Sequence, residues 1–155
     1  MTEYLVVKTV HVISSTILFG TGIGSAFYMF VASRSRDART AYFVVRWVVV
    51  ADWIFTTTAI VVQPVTGVWL ASLAGFPWST PWIAWSIALY FLAGACWLPV
   101  VWMQLKMREM ARVAAESGAA LPERYFAYFR MWVALGIPAF VSLVVVFYLM
   151  VAKPA

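Results

Sequence analysis

Charged residues in this chain are confined to a few short segments, and the segments between them are long and apolar. The stretch Thr9–Ser33 is uncharged, and positions 53 to 105 carry no charge at all. A helix that crosses a bilayer needs about 20 predominantly apolar residues, so the first stretch is one span and the second is too long for one. Ala74–Pro81 (AGFPWSTP), uncharged and rich in Gly and Pro, breaks the second stretch with a turn. The pattern predicts four spans, over residues about 4–32, 42–73, 82–107 and 125–152. The third helix is expected to outlast its apolar part, running as an amphipathic segment through Lys106, Arg108, Glu109 and Arg112 until Ser117-Gly118 stop it. Pro122 with Glu123 then starts the fourth. Short connections between four such helices imply an all-α, polytopic membrane protein, with residues 1–155 forming a single up-down-up-down bundle.

Composition agrees. The chain is 65% hydrophobic and only 11% charged, against about 25% charged in soluble domains. The first apolar run exceeds the roughly 7–15 residues of a signal-peptide core, and Glu3 sits where a basic segment would be expected, so this run reads as a retained span. A single cysteine, Cys96, excludes an intramolecular disulfide and any multi-cysteine metal site. There is no catalytic triad, phosphate-binding loop or dinucleotide fingerprint to support a hydrolase, kinase or nucleotide-dependent activity.

The net charge of +5 does not indicate nucleic acid, because the basic residues form no binding face. Nine of the eleven lie around the connections after spans one and three: Arg34, Arg36, Arg39, Arg46, Lys106, Arg108, Arg112, Arg124 and Arg130. Only Lys8 and Lys153 lie at the other ends of the spans. The positive-inside rule then places both basic loops in the cytoplasm and both termini in the periplasm of a bacterial inner membrane.

Polar groups within lipid face the bundle interior or a cavity, because hydrocarbon cannot solvate them. The candidates for chemistry are therefore few. His11, the only histidine, lies about two turns into span one, with Lys8 and Ser15 expected on its face and small residues below. Two readings stay open for it: an axial haem ligand with Lys8 paired to a propionate, or an interhelical hydrogen bond made for packing. Asp52, inside span two, reads either as a proton-handling carboxylate or as half of a buried ion pair with Arg130 or Arg46. Gln63-Pro64-Val65-Thr66-Gly67-Val68-Trp69 interrupts the same span; Pro64 frees a carbonyl near residue 60 and Gly67 removes side-chain bulk. Such a kink can line a cavity with Gln63, Thr66 and Trp69, or can serve packing alone.

The segments Lys8-Thr9-Val10-His11, LFGTGIGSAFYMF (18–30), ADWIFTTTAIVVQPVTGVWL (51–70) and LAGACWLPVVWMQLKMR (92–108) resemble an uncharacterised bacterial family of integral membrane proteins, the domain of unknown function DUF2269. More distantly the chain is similar to HemJ-type protoporphyrinogen oxidases, which also open a span with Lys-x-x-His, and to CopD-type copper-resistance membrane proteins. The HemJ resemblance implies haem b as cofactor, with His11 on the iron and Lys8 in support; straight helices would put Thr66, Trp69, Tyr90 and Tyr148 at a depth similar to that of His11. It also implies redox chemistry on a porphyrin or exchange of electrons with quinone. With one histidine per chain, a bis-imidazole site requires a homodimer. A reading from another class is a non-catalytic subunit or assembly factor of a larger membrane complex. The CopD resemblance offers only Met29, Met103 and Cys96 as soft ligands, scattered along the chain.

The charge asymmetry makes a direct prediction. Periplasm-active reporter fusions after Gly75 and at the C-terminus will be active, and a fusion near Ser117 will be silent. The reverse pattern would invert the topology, and a C-terminal fusion active only in the cytoplasm would remove the four-span arrangement altogether.

Overall fold

The computed structural model describes residues 1–154, and among them there are four long helices and no strand. They run Thr2–Arg34, Ala38–Leu73, Pro81–Ser117 and Glu123–Ala152. Each is long and apolar enough to cross a bilayer. At 1.5 Å per residue these helices measure about 45–55 Å, more than the ~30 Å hydrocarbon layer, so each projects beyond the apolar run that predicts it.

Local chemistry sets the ends. Asp37 caps span two, accepting a 2.8 Å bond from the Thr40 amide. Pro81 opens span three behind an extended Thr80, where its missing N–H costs nothing. Gly118 stops the same helix in a left-handed conformation, φ 69°, which glycine adopts without a Cβ clash. The last turns of span three are tied on their surface by Arg112, which reaches Glu109 at 2.6 Å and Glu116 at 2.7 Å.

Cross-helix contacts confirm the up-down order. At one end Trp69 donates to Glu3 (3.1 Å), and Lys153 lies over the rings of Phe76 and Trp82. Both termini and the central connection therefore share that end. At the other, Ser33 and Tyr125 share a 2.9 Å hydrogen bond and Arg36 covers Phe126, which brings the two basic connections together.

The bundle is not uniform along its length. Its densest packing is at the basic end, where Met29, Val45, Met103, Met107, Ala111 and Tyr125 form a core shared by all four spans. Small alanines at positions 38, 41, 111 and 114 let the backbones close in there. Toward the opposite end the bundle divides into two pairs: span one packs against the second half of span two, and span three against span four. Between residues 57–73 and span three the backbones stay apart.

Span two contains a feature the apolar pattern does not announce. Asp52–Thr56 forms a π-type turn, one residue wider than the α-helical spacing. Asp52 and Thr56 face inward there, in line with buried Ala59, Gln63 and Thr66, and Trp53, Ile54 and Phe55 face outward.

Candidate functional site

The polar residues of the spans resolve into two clusters. The first joins span one to the second half of span two. His11 Nδ1 lies 2.7 Å from Thr66 Oγ1, and the Gln63 side chain donates to the His11 carbonyl at 2.8 Å. Thr66 also bonds the Val62 carbonyl at 2.7 Å. A hydroxyl has one proton to give, so Thr66 donates to Val62 and accepts Nδ1–H from His11, which leaves Nε2 with the lone pair. Gly67 makes room for the ring: a Cβ there would stand 3.4 Å from His11 Cε1.

This arrangement revises which face of span one is inward. Val7, His11, Ser14 and Leu18 are buried, whereas Lys8 is exposed, its Nζ over the Tyr4 ring at 5.8 Å. Lys8 and His11 therefore do not share the buried stripe, because it passes through position 7 rather than 8. Trp69, expected at cavity depth, is exposed and bonds Glu3 instead.

The second cluster surrounds Asp52, which is 6% exposed. Thr56 donates to Oδ1 and the Gln104 amide to Oδ2, each at 2.8 Å. The expected arginine partners are not there: Arg46 and Arg130 are both exposed, and Arg46 sits over the Trp47 ring. Two uncharged donors take the place of an ion pair, for long arginine side chains near a span end reach the interface more cheaply than the interior. Farther along span two, Pro64 removes the amide that would bond the Ile60 carbonyl, and the Tyr90 hydroxyl of span three bonds that carbonyl instead.

Beside this cluster, where the bundle divides, is a cavity of about 520 Å³ reached by all four spans. Besides Ser25, Trp97 and Trp132, the polar residues in its lining are Asp52, Thr56, Tyr90 and Gln104, and most of the wall is apolar. Gly22, Gly94 and Gly136 belong to this wall, and a Cβ on any of them would meet nothing within 4 Å. Exposed Ile23, Phe30, Ile137 and Phe140 form its side toward spans one and four, so it opens sideways to the bilayer. That side is bridged by Phe19 stacked on Phe140 (ring centroids 5.1 Å apart) and, nearer the basic end, by Phe30 against Phe129 (6.0 Å).

Residues 5–154 match a family described as predicted integral membrane protein, DUF2269. The chain belongs to this family. No curated protein and no solved structure matches it. The family description supplies a location, integral to a membrane, and no activity; the four apolar helices make the chain multi-pass.

In this DUF2269 chain the cavity does not fit a haem held by His11. His11 packs between spans one and two outside the lining, and neither Cys96 nor any methionine contributes to the wall. Among the described residues no three of His, Cys, Asp and Glu gather as metal ligands. Sequence reasoning singled out Asp52 but overlooked its partners. Gln104 closes an apolar run in the sequence, and Thr56 stands one turn after Asp52 on the same face by ordinary helical spacing.

The geometry predicts which substitutions matter. Gln104→Leu will destabilise the detergent-solubilised protein by roughly 1–3 kcal/mol, because one carboxyl oxygen of Asp52 loses its donor. Arg46→Leu and Arg130→Leu will each change stability by less than about 0.5 kcal/mol. Thermal melting of the three variants tests this; an arginine variant as damaging as Gln104→Leu would restore the ion pair.

Proposed function

We propose that the protein holds a membrane-soluble organic molecule in the cavity between its four spans, with the Asp52–Gln104 pair beside the molecule's polar end. One observation carries this reading: a cavity of about 520 Å³, open to the bilayer and polar around Asp52, in a bundle otherwise packed through its core. Its volume is within the ~300–1,000 Å³ range of small-molecule sites, and an apolar wall with a few convergent polar groups is their usual chemistry. The glycines support it too, since a structural bundle gains by filling such space. A quinone-like molecule suits the dimensions and the route from lipid. Gentle extraction and native mass spectrometry should find an apolar small molecule bound to the folded protein. Gly94→Leu and Gly136→Leu, whose side chains enter open space, should expel it while the melting temperature holds or rises. A preparation that carries no such molecule and binds no apolar probe rules the reading out.

Haem b at His11 is the second reading, and the specific support for it is the tautomer. With Nδ1–H given to Thr66, Nε2 keeps the lone pair that an iron requires, and a hydrogen-bonded second nitrogen is how metal-binding histidines are oriented. Such a haem lies outside the cavity, on the flank of spans one and two. Protein produced with haem in excess should then show a Soret band that His11→Ala removes; a colourless, folded preparation leaves His11 as the fastener between the two spans.

A further inference from the structure

Asp52 is the one acid in the cavity's lining, and no lysine, arginine or histidine from any of the four spans joins it there. The other titratable lining group is Tyr90, a phenol that is neutral through the acid and neutral pH range. Among the described residues the only ion pairs are those of Arg112, in the basic-end extension of span three. Thr56 and the Gln104 amide each donate to the Asp52 carboxyl. Neutral donors lessen the cost of a charge in a low-dielectric site but do not cancel it. Two things can cancel it, a proton or a cation. The surroundings favour a cation of a particular kind. Thr56 has given its proton to Asp52, and Tyr90 has given its own to the Ile60 carbonyl, so toward a guest both hydroxyl oxygens can only accept. Phe19, Phe30, Tyr90, Trp97, Trp132 and Phe140 line the same space, and aromatic faces attract an organic cation most once it has left water. A metal ion needs a shell of oxygen ligands, which this mostly apolar wall does not have.

We infer that the occupant is a lipophilic organic cation, an ammonium head on an apolar body, with its charge against Asp52 and its body along the aromatic wall. Such a molecule partitions into the bilayer, onto which the cavity opens, and brings the missing positive charge with it. The inference deepens the proposed function and rests on it. It adds the charge of the guest, and it gives Asp52 a role in recognition besides its place between spans two and three.

The test uses the full chain in phosphatidylcholine nanodiscs, with binding to empty discs subtracted, and three radiolabelled probes that share a decyl tail. Decyltrimethylammonium carries a fixed positive charge, its neutral isostere has a tert-butyl group in place of the trimethylammonium, and decylubiquinone is a neutral quinone. The unmodified protein should bind the cation at least about tenfold more tightly than the isostere. Gly94→Leu, which fills the cavity, should remove both. Asp52→Asn should weaken the cation about tenfold or more and leave the isostere within about twofold, because it removes charge and little shape. Asp52→Glu, which keeps the charge, should keep the preference. Equal binding of cation and isostere to the unmodified protein overturns the inference but leaves the cavity reading standing, and needs no variant to fold. A preference that survives in Asp52→Asn, or a cation still held by Gly94→Leu, also overturns it. Binding of decylubiquinone alone overturns it in favour of a neutral guest in the same cavity, and binding of none of the three removes the cavity reading with it.

Discussion

Hydrocarbon offers a carboxyl group no hydrogen bond, so Asp52 has to be solvated by the protein itself. Much of the interior follows from that requirement. The carboxyl takes one donor from its own helix, Thr56, and one from the facing helix, Gln104. The first needs only that residues four apart point inward, which helical spacing gives, and the π-type turn that begins at Asp52 leaves that contact intact. The second ties span two to span three close to the basic-end core, where Val48, Val100 and Met103 are buried together. Spans two and three are thus held at one level, and the remainder of their length is free to diverge.

Divergence creates two further problems of the same kind, and each is met by a side chain. Pro64 leaves the Ile60 carbonyl without its helical partner, and Tyr90 reaches across the widening gap to bond it. On the far side of span two, Gln63 and Thr66 bind the backbone and imidazole of His11, and Gly67 lets the ring approach. Interhelical hydrogen bonds of this sort contribute only about 0.6–2 kcal/mol each within membranes, but they are directional. They hold span one on span two rather than on span four, where aromatic stacking is the main link. The cavity is the space this division leaves, and glycine and alanine along its wall keep it from being filled.

Membership of DUF2269 is consistent with this economy of polar groups without explaining it, since the family description goes no further than the membrane. The site therefore stands on its own chemistry. Most hydrogen-bonding groups deep in the bundle are engaged, either within a helix, as Thr56, Ser86 and Ser142 are, or between helices, as His11, Gln63, Tyr90 and Gln104 are. His11, Gln63 and Thr66 close one pair of helices, and Asp52 with Gln104 joins that pair to the other beside the cavity.

What the sequence determines alone is what the bilayer reads directly. Span number, helix ends and the up-down order all follow from the length of apolar runs, the placing of Asp37, Pro81, Gly118 and Pro122, and the clustering of arginines, because each is a local response to solvent. The freed carbonyl at Pro64 and the special status of Asp52 and His11 were also legible, as departures from an apolar background. Partners were not. Charge alone pointed Asp52 at arginines, yet Gln104, fifty-two positions away, meets it. Helical spacing put Lys8 with His11, but the buried stripe runs through Val7. Which face of a helix turns inward, and which residue on another helix stands opposite, depend on how four near-parallel rods rotate and splay against one another. Nothing local encodes that rotation; the requirement that all buried polar groups be satisfied at once selects it.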